Sequence, residues 1–217
     1  MKTDDQLKTD IQHELDWDPA IHASQVGVAV KEGVVTLSGH LETYAEKFAI
    51  EKAVGRVQGV KAMAVETDVK LAPNHRRSDT DIAAAAEAAF QWHAQIPADR
   101  IQVRVEKGWV TLRGEVDWDY QRQEAAKAVR ALTGVVGLSN TISLKAAVAP
   151  NHVAKRIRDA LTRHAQREAE DIKVEVKGSV ATLRGLVDSW PERSAAFGAA
   201  WSAPGIHSVV NELKVRP

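Results

Sequence analysis

The sequence predicts an α+β protein built as three tandem α-β-β-α-β units, each with two helices packed on one face of a three-stranded mixed sheet. Three observations carry this. One phrase recurs, as KEGVVTLSG (31–39), EKGWVTLRG (106–114) and VKGSVATLRG (176–185). A glycine–apolar step follows each at a constant interval of 20 residues: Gly39 to Gly59, Gly114 to Gly134 and Gly185 to Gly205. The match then extends without a gap over Leu7–Val69, Ile82–Leu144 and Val153–Val215, a unit of 63 residues repeated at offsets of 75 and 71. Fixed-period self-similarity of this kind marks a repeat architecture. We expect domains at 4–71, 79–145 and 150–216. Both connecting stretches contain Ala-Pro-Asn-His, a turn-prone composition.

Each unit opens with apolar residues at i, i+4, i+8: Leu7/Ile11/Leu15, Ile82/Ala86/Phe90 and Val153/Ile157/Leu161. That is one stripe of a helix. The period then switches to two at Val26/Val28/Val30, Ile101/Val103/Val105 and Ile172/Val174/Val176, the pattern of a half-buried strand. A hairpin turn follows at Glu32-Gly33, Lys107-Gly108 and Gly178-Ser179. Glycine second suits a type I′ turn and glycine first a type II′ turn, so the shifted glycine of the third copy changes the turn and not the register. The returning strand places Val35/Leu37, Val110/Leu112 and Ala181/Leu183 on the core face.

A second helix comes next. Thr43…Glu46 and Ser189…Glu192 have the spacing of capping boxes. Its buried stripe is Ile50/Ala53/Val54/Val57, Ala125/Ala128/Val129/Leu132 and Ala196/Ala199/Ala200/Ala203. Gly59, Gly134 and Gly205 suit the position just past a helix end. A last alternating strand closes each unit. A unit of this size buries only about 60% of its unfolded surface, so contacts between units or with a partner matter to it.

Composition excludes several function classes. The 29 basic and 29 acidic side chains cancel, which argues against nucleic acid as partner. There is no cysteine, hence no disulfide, thiolate chemistry or cysteine zinc site. MKTDDQLKTDIQHEL lacks the apolar region of a secretory signal, and no apolar run approaches the roughly 20 residues of a membrane span. By this signal the expected location is cytoplasmic or peripheral at the inner membrane. No two of the eight histidines stand at i, i+4, and no HExxH, GxSxG, P-loop or GxGxxG occurs. We expect no cofactor, no metal and no catalysis. Glu42/Asp117/Asp188 recur at second-helix N-termini, where a carboxylate complements the helix dipole.

The element order, the Gly-x-Val-x-Leu-x-Gly hairpin (33–39 and 108–114) and the Gly-Val opening of the last strand resemble the BON domain family, over nearly the whole chain. LDWDPAI (15–21) and WSAPGIHSVVNEL (201–213) look typical of its tandem members. The resemblance implies a non-enzymatic protein associating with membrane phospholipid, in envelope integrity or osmotic stress. It also implies transport-associated roles in some relatives, and many of those relatives are periplasmic.

Positions shared by the copies specify the fold, so their differences are where we look for function. Six of the eleven aromatics are tryptophan. In the middle copy the opening helix reads DIAAAAEAAFQWHA, apolar nearly all round from Ile82 to Phe90. Such a helix is expected to be buried on more than one side, or to offer a face to lipid or another chain. Trp109 replaces Val34 and Val180 and faces away from the core with Arg113, beside Arg104. Indole suits an interfacial or interdomain anchor. Trp118 stands where Thr43 and Ser189 cap, so Asp117 or Asp119 is expected to cap instead, and Tyr120 adds a second aromatic. Net charge runs from −4 over residues 1–73 to +1 over 74–149 and +3 over 150–217. The third unit's first helix is basic on its outer side at Lys155, Arg156, Arg158, Arg163 and Arg167.

The expected function is therefore association with an anionic phospholipid surface through Phe90, Trp92, Trp109, Trp118 and Tyr120. Arg104, Arg113, Lys155, Arg156, Arg158 and Arg163 would supply charge. The alternative is a homo-oligomeric envelope assembly with a transport-associated role, self-associating through the alanine-rich helix of the middle unit.

Overall fold

The computed structural model describes residues 2–22, 25–145, 153–164 and 172–216, the side chains of 162–164 excepted. The first module comprises α1 (Asp4–Trp17), β1 (Val26–Lys31), β2 (Val34–Leu41), α2 (Tyr44–Arg56) and β3 (Ala62–Val69). The middle module comprises α3 (Asp79–Trp92), β4 (Ile101–Glu106), β5 (Trp109–Val116), α4 (Asp119–Arg130), β6 (Gly137–Asn140) and β7 (Ser143–Leu144). The third comprises α5 (Val153–His164), β8 (Ile172–Lys177), β9 (Val180–Val187), α6 (Trp190–Trp201) and β10 (Ser208–Val215). The chain divides into two compact units, residues 1–143 and 144–217, the first holding two modules.

Every sheet is centred on its second strand, antiparallel to the first and parallel to the last, as the α-β-β-α-β order requires. The helical stripes lie where their spacing predicts. Leu7, Ile11 and Leu15 are buried with Val35, Leu37, Ile50 and Val54 in the first module. Ile82, Ala86 and Phe90 are buried with Val110, Leu112 and Val129 in the middle one. In the third, Val153, Ile157 and Leu161 close on Ala181, Leu183 and Ala200.

Local chemistry at the hairpins follows the turn residues. Glu32/Gly33 and Lys107/Gly108 all have positive φ, as type I′ demands, whereas in the third hairpin only Gly178 does. A carboxylate from the opening helix secures the first two turns. Asp4 accepts from Glu32 and Gly33 N–H at 2.7 and 3.1 Å. Asp79 accepts from Lys107 and Gly108 N–H, both at 2.8 Å.

Several helix ends differ from expectation. Thr43 and Ser189 do cap, accepting from Glu46 and Glu192 N–H. The return half of each box is spent elsewhere. The buried Glu46 carboxylate accepts from His22 N–H at 2.8 Å, and Glu192 accepts from Asp188 N–H. Reciprocal boxes occur instead at Thr3/Gln6 and Ser78/Asp81. At α4 neither Asp117 nor Asp119 caps. Asp117 pairs with Arg100 at 2.7 Å and Asp119 with Arg122, while Gln121 Oε1 folds back to accept from Asp117 and Trp118 N–H. Gly59 stands one step further on and Gly134 and Gly205 two, each at the third position of a turn closed by Val57–Val60, Leu132–Val135 or Ala203–Ile206. Positive φ at that position is the glycine requirement of a type II turn.

The middle module's last strand is interrupted. Asn140 Oδ1 takes Ile142 N–H, its Nδ2 donates to Arg122 O, and the N–H and hydroxyl of Thr141 both bond Leu112 O. The chain then rejoins β5 as β7. Helix α3 is not buried on several sides. Its inner stripe is covered, and Ala84, Ala85 and Ala88 are exposed. Alanine's helix propensity and the Ser78 cap support such a helix without a second apolar contact.

Within the first compact unit the two modules meet where α4 ends against α2. The Arg130 guanidinium stacks on the Phe48 ring, 3.4 Å from its centroid. Partial burial raises the pKa of Glu51 and of Tyr44 and lowers that of Arg130, and in each case the neighbouring opposite charge offsets part of the shift. A cavity of about 100 Å³ beside them is lined by Tyr44, Leu71, His75, Arg130 and Leu132.

Candidate functional site

The middle module's outer surface is built by β5, the end of α3 and the start of α4. Along β5 the alternation sends Val110 and Leu112 into the core and Trp109, Thr111 and Arg113 outward. Trp109 pairs with Gly137 on the neighbouring strand. A Cβ on Gly137 would stand 2.3 Å from the indole, so the ring lies flat on the sheet because Gly137 has no side chain. The indole Nε1 donates to Ser139 Oγ at 2.9 Å, and the residue remains 49% exposed. Its matching pairs are Val34 over Ala62 and Val180 over Ser208. The indole and the bare glycine thus occur together in this copy.

The charges around it are unequal. Arg104 is paired with Glu106 at 2.8 Å, while Arg113 forms no ion pair among the described residues. On the same face of the third module Arg184 bridges Glu175 and Glu212 at 3.1 and 2.6 Å; Glu212, and then Glu175, raise its pKa, while Lys177, and then Arg184, lower that of Glu175. The counterparts of those two acids are Arg104 and Thr141. Positive charge that is balanced in the third copy is therefore partly open in the middle one.

Trp92, Trp118 and Tyr120 lie toward the other end of the module. Asp79 holds the start of α3 at the hairpin, and Trp92 closes that helix about 20 Å further on. Trp118 follows the end of β5, about 23 Å along the strand from Trp109. Trp92 is 90% exposed, and Trp118 and Tyr120 are exposed too. Trp109 thus stands apart from the other aromatics, on the open sheet face near the turn. Phe90, expected as a contact residue, is a correction. It is 2% exposed and belongs to the Ile82/Ala86/Phe90 core stripe, so it cannot reach a surface.

Trp17 is a residue the copy-difference argument passed over. It closes α1 as Trp92 closes α3, at the same 75-residue offset, and is 85% exposed. That offset was the available signal. Lys155, Arg156 and Arg158 are exposed on α5, opposite the buried Val153/Ile157/Leu161 stripe. The side chain of Arg163, like all of Arg167, lies outside the described residues.

Among the described residues no group of three His, Asp or Glu side chains is placed to hold a metal ion, and no helix is long and apolar enough to cross a membrane. The surface carries exposed aromatic and cationic side chains on a thrice-repeated α+β scaffold, which is the architecture of a tandem-module protein. The BON domain model matches residues 3–70, 78–146 and 151–217, and the chain belongs to the BON domain family. It is similar to osmotically-inducible protein Y of Escherichia coli (strain K12), 29% identical over 146 residues, which are 64% of this chain and 73% of that protein. Among solved structures it aligns with the C-terminal domain of CdsD, the structural protein of the type III secretion system of Chlamydia trachomatis. That match has 17% identity and covers 100% of both chains, but its TM-score of 0.27 is too low to support any argument.

Proposed function

We propose that this is a non-catalytic protein that associates with anionic phospholipid surfaces, in the envelope or osmotic-stress setting suggested by its relative. The observation that carries the reading is the exposure of three aromatics, Trp92, Trp118 and Tyr120, toward the end of the middle module away from the hairpin. Indole and phenol groups, with an apolar body and a polar tip, settle at the lipid headgroup level. Arg113 on the adjoining face and the basic side of α5 add attraction of about 1 kcal/mol per cation near an anionic surface. Arg104, neutralised by Glu106, adds little.

Liposome flotation tests this. Recovery is expected to be greater with phosphatidylglycerol-rich vesicles than with neutral ones, and to fall in Trp92→Ala/Trp118→Ala. Equal recovery with both lipids, unchanged by the substitutions, would sink the reading.

A second reading is self-association through the outer face of α3, favoured by the exposure of Ala84, Ala85 and Ala88. Light scattering at high concentration decides it. An oligomer that Ala85→Glu dissolves supports the reading, and a strict monomer removes it.

A further inference from the structure

A cleft of about 430 Å³ opens where the chain leaves β3 and enters α3. Lys70, Arg76, Arg77 and Lys107 form its walls, and Gly108, Gly134 and Val136 its floor. Asp79 is the one acid among the described lining residues, and its two carboxylate oxygens are engaged by the Lys107 and Gly108 N–H groups. None of the four cations belongs to an ion pair among the described residues. Lys70 Nζ reaches His40 Nε2 at 2.8 Å, and Arg77 donates to the carbonyls of Asn74 and Arg76. Asp81, on which the Arg77 charge acts, lies outside the lining. The Ser78 hydroxyl and N–H hold its carboxyl below the usual carboxylate range.

Four cations around one concavity raise a positive potential that a solvated face does not. The repeat shows that this concentration is particular to one copy. The places of Arg76, Arg77 and Lys107 are held by Met1, Lys2 and Glu32 in the first copy, and by Ala147, Val148 and Gly178 in the third. The floor differs too. In the first module the Lys61 stem crosses Gly33, with its Cδ 3.0 Å from where a Cβ would stand. The shorter Val136 occupies that place in the middle module and leaves the cleft open above Gly108.

We infer that this cleft binds a phosphate-bearing anion, gripped by Arg76, Arg77 and Lys107 over the Gly108/Val136 floor. Guanidinium groups meet phosphate oxygens in pairs, and the lysines add point charge. The site uses none of the exposed indoles, so it stands or falls separately from the membrane reading.

The test is an amide-resolved NMR titration of the full chain with inorganic phosphate and with glycerophosphoglycerol, beside flotation with phosphatidylglycerol vesicles. Saturable shifts are expected at Gly108, Gly134 and Val136. Arg76→Gln/Lys107→Gln, both exposed positions, should weaken binding roughly tenfold or more, while Trp92→Ala/Trp118→Ala leaves the soluble titrations unchanged. If the cation variant also lowers vesicle recovery, the phosphate is that of a lipid headgroup. If it affects the soluble titrations alone, the ligand is a free phosphate compound. Shifts reproduced by chloride at equal ionic strength, absent with both probes, or unchanged in the cation variant would overturn the inference.

Discussion

At the turn end of the sheet the first and middle modules differ at touching positions. In the first, Val34 stands over Ala62, and Glu32 tops a turn whose Gly33 is covered by Lys61. In the middle, Trp109 stands over Gly137, and Lys107 tops a turn whose Gly108 meets the smaller Val136. Beneath these positions the two modules have the same buried stripe, the same I′ turn and the same aspartate holding it. The outer face is therefore free to vary, but it varies in contacting pairs, because a large ring on a sheet needs a neighbour that leaves room. Close packing holds on a surface wherever two side chains share a strand register.

The strongest way to test the separation of core from surface is at Phe90 and Trp92, two residues apart on one helix. Phe90→Ala should cost about 3–5 kcal/mol in denaturant unfolding, and Trp92→Ala less than about 0.5 kcal/mol. Comparable losses would erase the distinction. The pairing idea is sharpened by a cycle. Gly137→Val drives a side chain into the indole and should cost about 1–3 kcal/mol. Trp109→Val/Gly137→Ala, which copies the first module's pair, should recover most of it. A double variant as unstable as the single would break the argument.

The shared aspartate comes next in size. Asp4→Ala and Asp79→Ala should each cost about 1–2 kcal/mol, the scale of hydrogen bonds to a charged acceptor, and the amides of Glu32, Gly33, Lys107 and Gly108 should lose exchange protection. Smaller still is the junction of the two modules. Arg130→Ala should cost about 1 kcal/mol, with a coupling to Phe48→Leu in a double-mutant cycle. Glu51 gives the sign of a pH effect there. Burial raises its pKa, so the folded chain holds that proton more tightly than the unfolded one. Stability from this group is fully present below the unfolded value and falls as pH rises through the folded one. Glu51→Gln should flatten that fall in pH-dependent melting.

The repeat, the strand alternation and both hairpin types were legible in the sequence because they depend on neighbouring residues. The Asp4 and Asp79 clasps were not, since each joins groups 28 or 29 residues apart and a first-turn acid reads simply as a partner for the helix dipole. Glu46 and Glu192 had the spacing of return caps, yet a tertiary contact with His22 claimed Glu46, and Glu192 bonds the Asp188 N–H one residue before the cap. At the candidate site, comparing copies position by position singled out Trp109 and Trp118. A comparison of differences passes over Trp17, because it matches Trp92 at the 75-residue offset. Phe90 was named a contact residue although its own i, i+4, i+8 stripe already placed it inside. The Gly137 partner of Trp109 was visible as a glycine where the other copies have Ala62 and Ser208.

The aspartate clasp also bears on how the modules that carry it come apart. In the first two, the turn cannot peel away without breaking bonds to a helix, so hairpin and helix open as one cooperative block. Heating or pulling the chain should therefore release the first two hairpins together with their opening helices.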